Sequence, residues 1–331
     1  MNKTPKNQLS KCEILGIGAP LLDHLLPISE EYLQKIPGEK WGMEVIDHKE
    51  MRKIIEESGV TPIQVVGGSS QNTIRGLARF GHQCAVTGKI GQDAIGKFVK
   101  KQMQELLIDT AYSYSSTPTA QVLSLITPDG KRTMRYYGGA SNEITPEDLD
   151  PRLFEGIKLV HIEGYTLLYP GLTRRGMELA KQAGAKVSFD LGSFEMVKNY
   201  RELIMNLLEN YVDLVFANEE EIDALVNHGP EEGCRQLSAL CEVGVVMLGE
   251  KGSLVGRRAK VKAYPAFPVK PLDTTGAGDL FVSGFLHGYL LGRPDDESAR
   301  YGAITGSAVT QYVGAEIPAE EWPKIQLCME K

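Results

Sequence analysis

No stretch of this chain approaches the roughly 20 consecutive apolar residues that a bilayer-spanning helix needs. Its opening, "MNKTPKNQLSKCEILGIGAP", holds no signal-peptide core. A cytoplasmic location is the expectation. An excess of basic charge is missing too. The formal net charge is -7, with Lys and Arg scattered along 331 residues, which argues against nucleic acid and anionic membrane as partners. Cysteine is scarce. The five residues at 12, 84, 234, 241 and 328 are odd in number and include no C-x-x-C. Reduced thiols buried as small hydrophobes are expected, not a disulfide framework. The six histidines show no paired spacing such as H-E-x-x-H, so the usual zinc signature is absent.

Two glycine motifs are incomplete. "GQDAIGKF" (91–98) resembles a P-loop, but Phe98 stands where a hydroxyl must meet Mg²⁺. Its Gly96-Lys97 also falls inside an amphipathic helical pattern, not at the start of a helix. "GIGAPL" (16–21) begins like a dinucleotide fingerprint, but Leu21 replaces the last glycine and Pro20 disturbs the helix packing it serves. Both a P-loop NTPase and a nicotinamide or flavin enzyme are set aside.

What is present is ordinary globular material, 42% hydrophobic and 24% charged, enough for a large core. The apolar runs "IKLVHIEGY", "AKVSFDLG", "VDLVFANEEE" and "VGVVMLGEKGS" read as strands, with helix-like segments between them. This alternation predicts an α/β fold, a mostly parallel central sheet with helices on both faces. Ligands bind such a sheet beyond the carboxyl ends of its strands, and Asp23, Gly68, Glu163, Asn218 and Gly249 all follow strand-like runs. Residues 1–22, 49–108 and 140–331 are read as one large α/β domain. The β-rich segments 23–48 and 109–139 are read as a small lid, the second with a hairpin turn at Pro128-Asp129-Gly130. Arg132 and Arg135 on that hairpin read first as a solvated basic face, with a reach to transferred phosphate or substrate as the alternative.

The most informative stretch is "DTTGAGDLFVSGF" (273–285). After it Leu280, Phe281, Val282, Phe285, Leu286 and Tyr289 make a helix apolar almost all round, hence buried. Gly284 and Gly288, four apart, predict close packing on another element. The Gly-Ala-Gly start frees backbone N–H groups at a helix N-terminus, where phosphate or a developing oxyanion is favoured. On the residues alone, Asp279 reads equally as a first-turn acid or as a group placed to take a proton.

With these residues the chain resembles the PfkB/ribokinase family of carbohydrate and nucleoside kinases. "DTTGAGDLFVSGF" is similar to the family's C-terminal signature. "GGSSQNTIRGLARFG" with "GKIGQDAIGKFVKK" resembles its N-terminal one. "NEEE" (218–221) matches its Asn-x-x-Glu element and "MLGEKGSLV" its nucleotide-binding turn. The matches run from about 14 to 315. The resemblance implies a ribokinase-like three-layer fold with a small β lid, and ATP-dependent transfer of a γ-phosphoryl group to a primary hydroxyl. It implies Asp279 as catalytic base, with the backbone of Gly276, Ala277 and Gly278 as anion hole. Asn218 and Glu221 would organise Mg²⁺ and the phosphates, Glu221 through phosphate or water. Gly249, Glu250 and Gly252 would line the nucleotide. Asp273 and Thr275 match positions holding a monovalent cation such as K⁺, and Asp23, Gly68 and Asn72 those holding substrate hydroxyls. Glu163 and Asp190 match less fully. "GAPLLD" and "GGSSQNTIR" are closer to the adenosine-kinase branch, while "SFDLGSFEMV" and "GGASNEITPEDL" resemble bacterial sugar kinases. A nucleoside, adenosine first, or another furanose is therefore the expected substrate. The alternatives are a sugar kinase acting on ribose, fructose or a sugar phosphate, and a regulator on the same fold that binds nucleoside and nucleotide without catalysis. The chain is expected as a monomer or as a homodimer through the lid.

Overall fold

A computed structural model describes residues 12–129 and 131–330. Gly130 of the expected turn, and residues 1–11 of the expected large domain, lie outside the described residues. The described strands, in chain order, are β1 (Ile14–Ile17), β2 (Leu21–Pro27), β3 (Met43–Val45), β4 (Ile63–Gly67), β5 (Cys84–Gly91), β6 (Asp109–Ser115), β7 (Ala120–Ile126), β8 (Arg132–Tyr137), β9 (Leu159–Glu163), β10 (Lys186–Asp190), β11 (Leu214–Asn218), β12 (Val243–Met247), β13 (Ser253–Arg257) and β14 (Lys260–Tyr264).

Nine strands form the larger sheet in the order β14-β13-β12-β11-β10-β9-β1-β5-β6. From β6 to β12 every pairing is parallel, and β13 and β14 close one end antiparallel. Both faces are covered, as a parallel sheet requires. On one face Met177, Ile204, Leu207, Ile222 and Leu237 pack against Val160, Val187 and Val215. On the other, Ile74, Leu77, Val99, Phe285 and Leu286 pack against Val86, Phe216 and Val245. The α/β class and the three layers thus match the sequence reading. The cysteines match it as well: all five are free, and all but Cys328 are buried.

The smaller sheet has the order β3-β8-β7-β2-β4. One of its faces is filled by Leu26, Leu123 and Leu125 against Leu33, Met51 and Ile54 from the helices Glu30–Lys35 and His48–Ser58. Strand alternation puts Asp23, Val122, Met134 and Tyr136 on the other face. Residues 109–115, expected in the lid, instead pair as β6 with β5 in the larger sheet. Its "DTAYSYS" alternation belongs to a half-covered edge strand, which looks the same in sequence as a lid strand. Conversely β4, assigned to the larger unit, is an edge of the smaller sheet.

Candidate active site

The carboxyl ends of the parallel strands converge as their registers dictate. Glu163 ends β9 beside Asp190, which ends β10, and Asn218 ends β11 beside Met247, which ends β12. Over them stands the N-terminus of the helix Ala277–Leu290. A Cβ on Gly278 would lie 3.6 Å from Met247 Cε, so this end abuts the strand termini. Gly276 makes the entry possible. Its φ of 75° is left-handed, and a Cβ there would come within 2.5 Å of Ala315 Cβ.

Asp279 sits in the first turn, half-buried. Its Oδ1 accepts from Ser69 Oγ at 2.7 Å and its Oδ2 from Asn72 Nδ2 at 2.8 Å. Both partners belong to the helix Ser69–Arg79 that follows the Gly67-Gly68 turn. Asn72 is itself oriented by buried Arg75, which donates to Asn72 Oδ1 at 3.2 Å and to Val66 O at 2.7 Å, and pairs with Glu316 at 3.1 Å. Burial pushes the Asp279 carboxyl above its ordinary range, opposed by the Asn72 and Ser69 bonds and by the Arg75 charge. A raised carboxyl is a stronger proton acceptor once ionised.

The N–H groups of Gly276, Gly278 and Asp279 have no hydrogen-bond partner among the described residues. That of Ala277 donates to Thr274 O at 3.1 Å. Two of the three expected anion-hole amides are therefore free. The third closes the turn, and the Asp279 amide adds another free donor.

Asp23 lies within β2, not in the turn after β1. Gly67 leaves it room, since a Cβ there would stand 2.1 Å from Asp23 Oδ2. Burial pushes Asp23 up to about 7, against the pull of Arg132 and Arg75 and with a push from Asp279. Gly68 has φ 101°, and a Cβ would meet Ala19 O at 2.4 Å. Glu163 is buried and accepts from Ala19 N at 2.8 Å and Ser70 N at 2.6 Å. It therefore ties the β1–β2 link to the start of the Ser69–Arg79 helix. Burial raises it to about 7 despite those two bonds.

On the other side of the helix N-terminus, Asn218 and Glu221 form a capping box. Asn218 Oδ1 accepts from Glu221 N at 2.8 Å, and Glu221 Oε2 accepts from Asn218 N at 2.9 Å. Burial pushes Glu221 up to about 7, and Glu220, Asp279 and Glu195 add to it. Asp190 is likewise raised by burial and by the charges of Glu221 and Asp279. Gly249 and Glu250 are exposed on the turn between β12 and β13. Gly252 closes that turn at φ 98°, where a Cβ would strike Tyr264 O at 2.0 Å. Among the described residues no three His, Cys, Asp or Glu side chains gather as a metal cage. A divalent ion here would lean on ligand phosphates, which is how Mg²⁺ usually binds. Buried like charges on Asp190, Glu221 and Asp279 suit such an ion.

Arg132 and Arg135 are not a solvated face. Arg135 is 1% exposed and donates to the carbonyls of Pro37 and Glu39, filling the polar needs of a loop that the hairpin covers. Arg132 crosses from β8 to the larger unit and donates to Asp273 Oδ2 and Thr275 Oγ1. Asp273 Oδ1 also accepts from Thr275 N at 3.0 Å and Thr275 Oγ1 at 2.9 Å, and Oδ2 from Gly314 N at 2.6 Å. The oxygens expected to hold a monovalent cation are thus committed to a guanidinium and to neighbouring donors.

Sequence reasoning missed Ser69, the role of Arg75 and the engagement of Arg132 with Asp273 and Thr275. Ser69 stood in the "GGSS" turn and could have been read as a partner for Asp279. Nothing in the local pattern around Arg132 points 141 residues away to Asp273.

The pfkB family carbohydrate kinase model matches residues 43–322. A Klebsiella pneumoniae fructokinase is 29% identical over 255 residues, 72% of this chain and 81% of that protein. A Schizophyllum commune adenosine kinase is 26% identical, covering 96% of this chain and all of that one. The crystal structure of adenosine kinase from Sinorhizobium meliloti superposes with a TM-score of 0.88 at 28% identity, over 96% of this chain and 100% of that one.

Proposed function

The chain belongs to the pfkB family of carbohydrate kinases and is a phosphotransferase with an alcohol acceptor; from that premise we propose that it moves the γ-phosphoryl group of ATP to a primary hydroxyl of a nucleoside, adenosine first. The observation that carries this reading is Asp279, held by Ser69 and Asn72 at 2.7 and 2.8 Å beside unpaired amides at a helix N-terminus. In the reaction Asp279 takes the proton of the attacking hydroxyl. The free amides of Gly276, Gly278 and Asp279 then hold the charge that builds on the transferred group. Mg²⁺ would be held by Glu221, through phosphate or water, with Asn218 fixing that carboxylate. It would draw negative charge from the phosphates. Gly249, Glu250 and Gly252 form the turn that would line the nucleotide, and Asp23 with Gly68 would clasp vicinal hydroxyls. Glu163 serves more as a brace, because each of its oxygens already accepts a backbone amide.

The acceptor is read from the inner face of the small sheet, which we take as a lid. Asp23 stands there among Val122, Met134 and Tyr136. That wall is apolar and aromatic with one carboxylate, a setting for a neutral base and a ribose. Among the described residues the cation of this face that reaches the site, Arg132, is engaged by Asp273, which disfavours a sugar phosphate. The fructokinase likeness supports a second reading, a free furanose or hexose. Any self-association is assigned to the open lid edges, where Met43 and Val45 on β3 and Ile63 on β4 are exposed.

The test is an ATP-consumption screen over nucleosides, pentoses, hexoses and their phosphates. Adenosine should give the highest kcat/KM. The Asp279→Asn variant should lose about 10²–10⁴-fold in kcat while keeping ATP affinity. Wild-type turnover in that variant removes Asp279 from its role. A protein that binds nucleoside and ATP but turns over nothing points to a regulator.

A further inference from the structure

One ion pair ties the smaller sheet to the chain segment that leads into the helix Ala277–Leu290. Arg132 opens β8 of the smaller sheet, opposite Ile126 of β7. Its side chain is 17% exposed and that of its partner Asp273 is 7% exposed. One guanidinium nitrogen donates to Asp273 Oδ2 and the other to Thr275 Oγ1, while Thr275 Oγ1 donates onward to Asp273 Oδ1 at 2.9 Å. Asp273 is anchored by Gly314 N at 2.6 Å, and its own N–H donates to Thr310 O at 3.0 Å. Thr275 immediately precedes Gly276, whose left-handed turn opens the anion-binding helix end. A positive charge held on Asp273 and Thr275 therefore lies in the chain segment that presents the free amides.

A carboxylate and a hydroxyl that face one point will take either a compact monovalent ion or a fork of N–H donors. Only the fork is planar and bidentate. This chain supplies the fork itself, and both oxygens are committed to it. A dissolved K⁺ would have to displace a guanidinium that is tethered and nearly desolvated. Building on the kinase reading above, we propose that Arg132 is an internal replacement for a monovalent cation: a positioning residue whose charge fixes the 273–278 turn, and whose place on the smaller sheet makes the anion hole complete only when that sheet is docked.

Two consequences separate this role from ordinary packing. The wild-type enzyme should turn over equally in potassium and in tetramethylammonium at one ionic strength. The Arg132→Ala variant should lose about 10²-fold in kcat, the scale of losing one oxyanion donor, with a smaller change in KM for ATP. Its lost rate should return in part with added K⁺ or guanidinium. Arg132→Lys should keep part of the rate without added ion. A readout free of turnover is thermal melting: K⁺ should raise the Tm of Arg132→Ala and leave the wild type unmoved.

Strong K⁺ activation of the wild type overturns the proposal. So does an Arg132→Ala variant that works normally in tetramethylammonium, or one whose loss neither K⁺ nor guanidinium relieves while its melt shows it folded. If no acceptor is phosphorylated by the wild type, it is the kinase reading that fails, and the melting experiment still decides whether a cation can enter where Arg132 was.

Discussion

Glu221 serves local structure and chemistry at once. As the last member of the Asn218 capping box it satisfies a helix N-terminus, and as a buried carboxyl pushed up to about 7 it is held against its preference for water. The two duties can be separated, because glutamine also completes a capping box. Glu221→Gln should keep or raise the melting temperature of the ligand-free protein at alkaline pH, where the native carboxylate is charged among Asp190 and Asp279. It should also weaken Mg²⁺-dependent turnover, since stability and function draw on the same charge. A parallel fall in melting temperature and activity would make Glu221 a structural cap alone. This residue was legible only in part. "NEEE" announced a phosphate-side carboxylate by resemblance. The cap that fixes it was also written in the Asn-x-x-Glu spacing but went unread. Asn72 shows the opposite case, expected on the substrate and found holding Asp279. Two polar side chains that meet across 207 residues leave no trace in local spacing.

The helix Ala277–Leu290 was readable because burial on all sides leaves an apolar run with no polar stripe, ended by Gly292 and Pro294. Its glycines mark where other helices cross. A Cβ on Gly284 would stand 2.2 Å from Thr305 Oγ1 and 2.5 Å from Tyr301 O, and one on Gly288 would stand 2.7 Å from Ser298 Oγ, all on the helix Asp295–Val309. Gly76 plays the same part where the Ser69–Arg79 helix meets Ser283, 2.2 Å from the atom it would gain. These contacts set the height at which Asp279 faces Asn72. Gly284→Ala must push the two helices apart against backbone, at a cost of about 1–3 kcal/mol. Chemical denaturation should show a lower midpoint, and kcat should fall more than the affinity for ATP as Asp279 shifts. An unchanged midpoint would mean that the helices slide freely. The expected boundary between the two β-rich units, by contrast, differs from the observed pairing at β4 and β6. Edge strands of either sheet carry the same half-buried alternation, and only the pairing partner tells them apart.

The whole molecule concentrates carboxyls raised by burial around Asp279 at the N-terminus of the helix Ala277–Leu290, and this fixes how its stability answers to pH. Asp23, Glu163 and Glu221 are each pushed up to about 7 by burial, from ordinary values of 3.8, 4.5 and 4.5. Asp190 and Asp279 are raised in the same direction. Between those ordinary values and about 7, the folded chain holds protons that the unfolded chain has released. Stability therefore falls as pH rises through that window. This is the reverse of salt-bridged carboxylates, whose pKa values are lowered. The melting temperature of the ligand-free protein should decline from about pH 4.5 to about pH 7. Burial raises the Asp279 carboxyl above its ordinary range, so kinase activity should rise with pH as it ionises. In the proposed reaction Mg²⁺ would be the component that adds positive charge beside Glu221 and Asp190, so saturating Mg²⁺ together with nucleotide should flatten the decline by favouring their ionised forms. Acidic optima for both stability and turnover would place Asp279 outside the proton transfer. A decline that ligand leaves unchanged would show that these carboxyls do not face the bound phosphates.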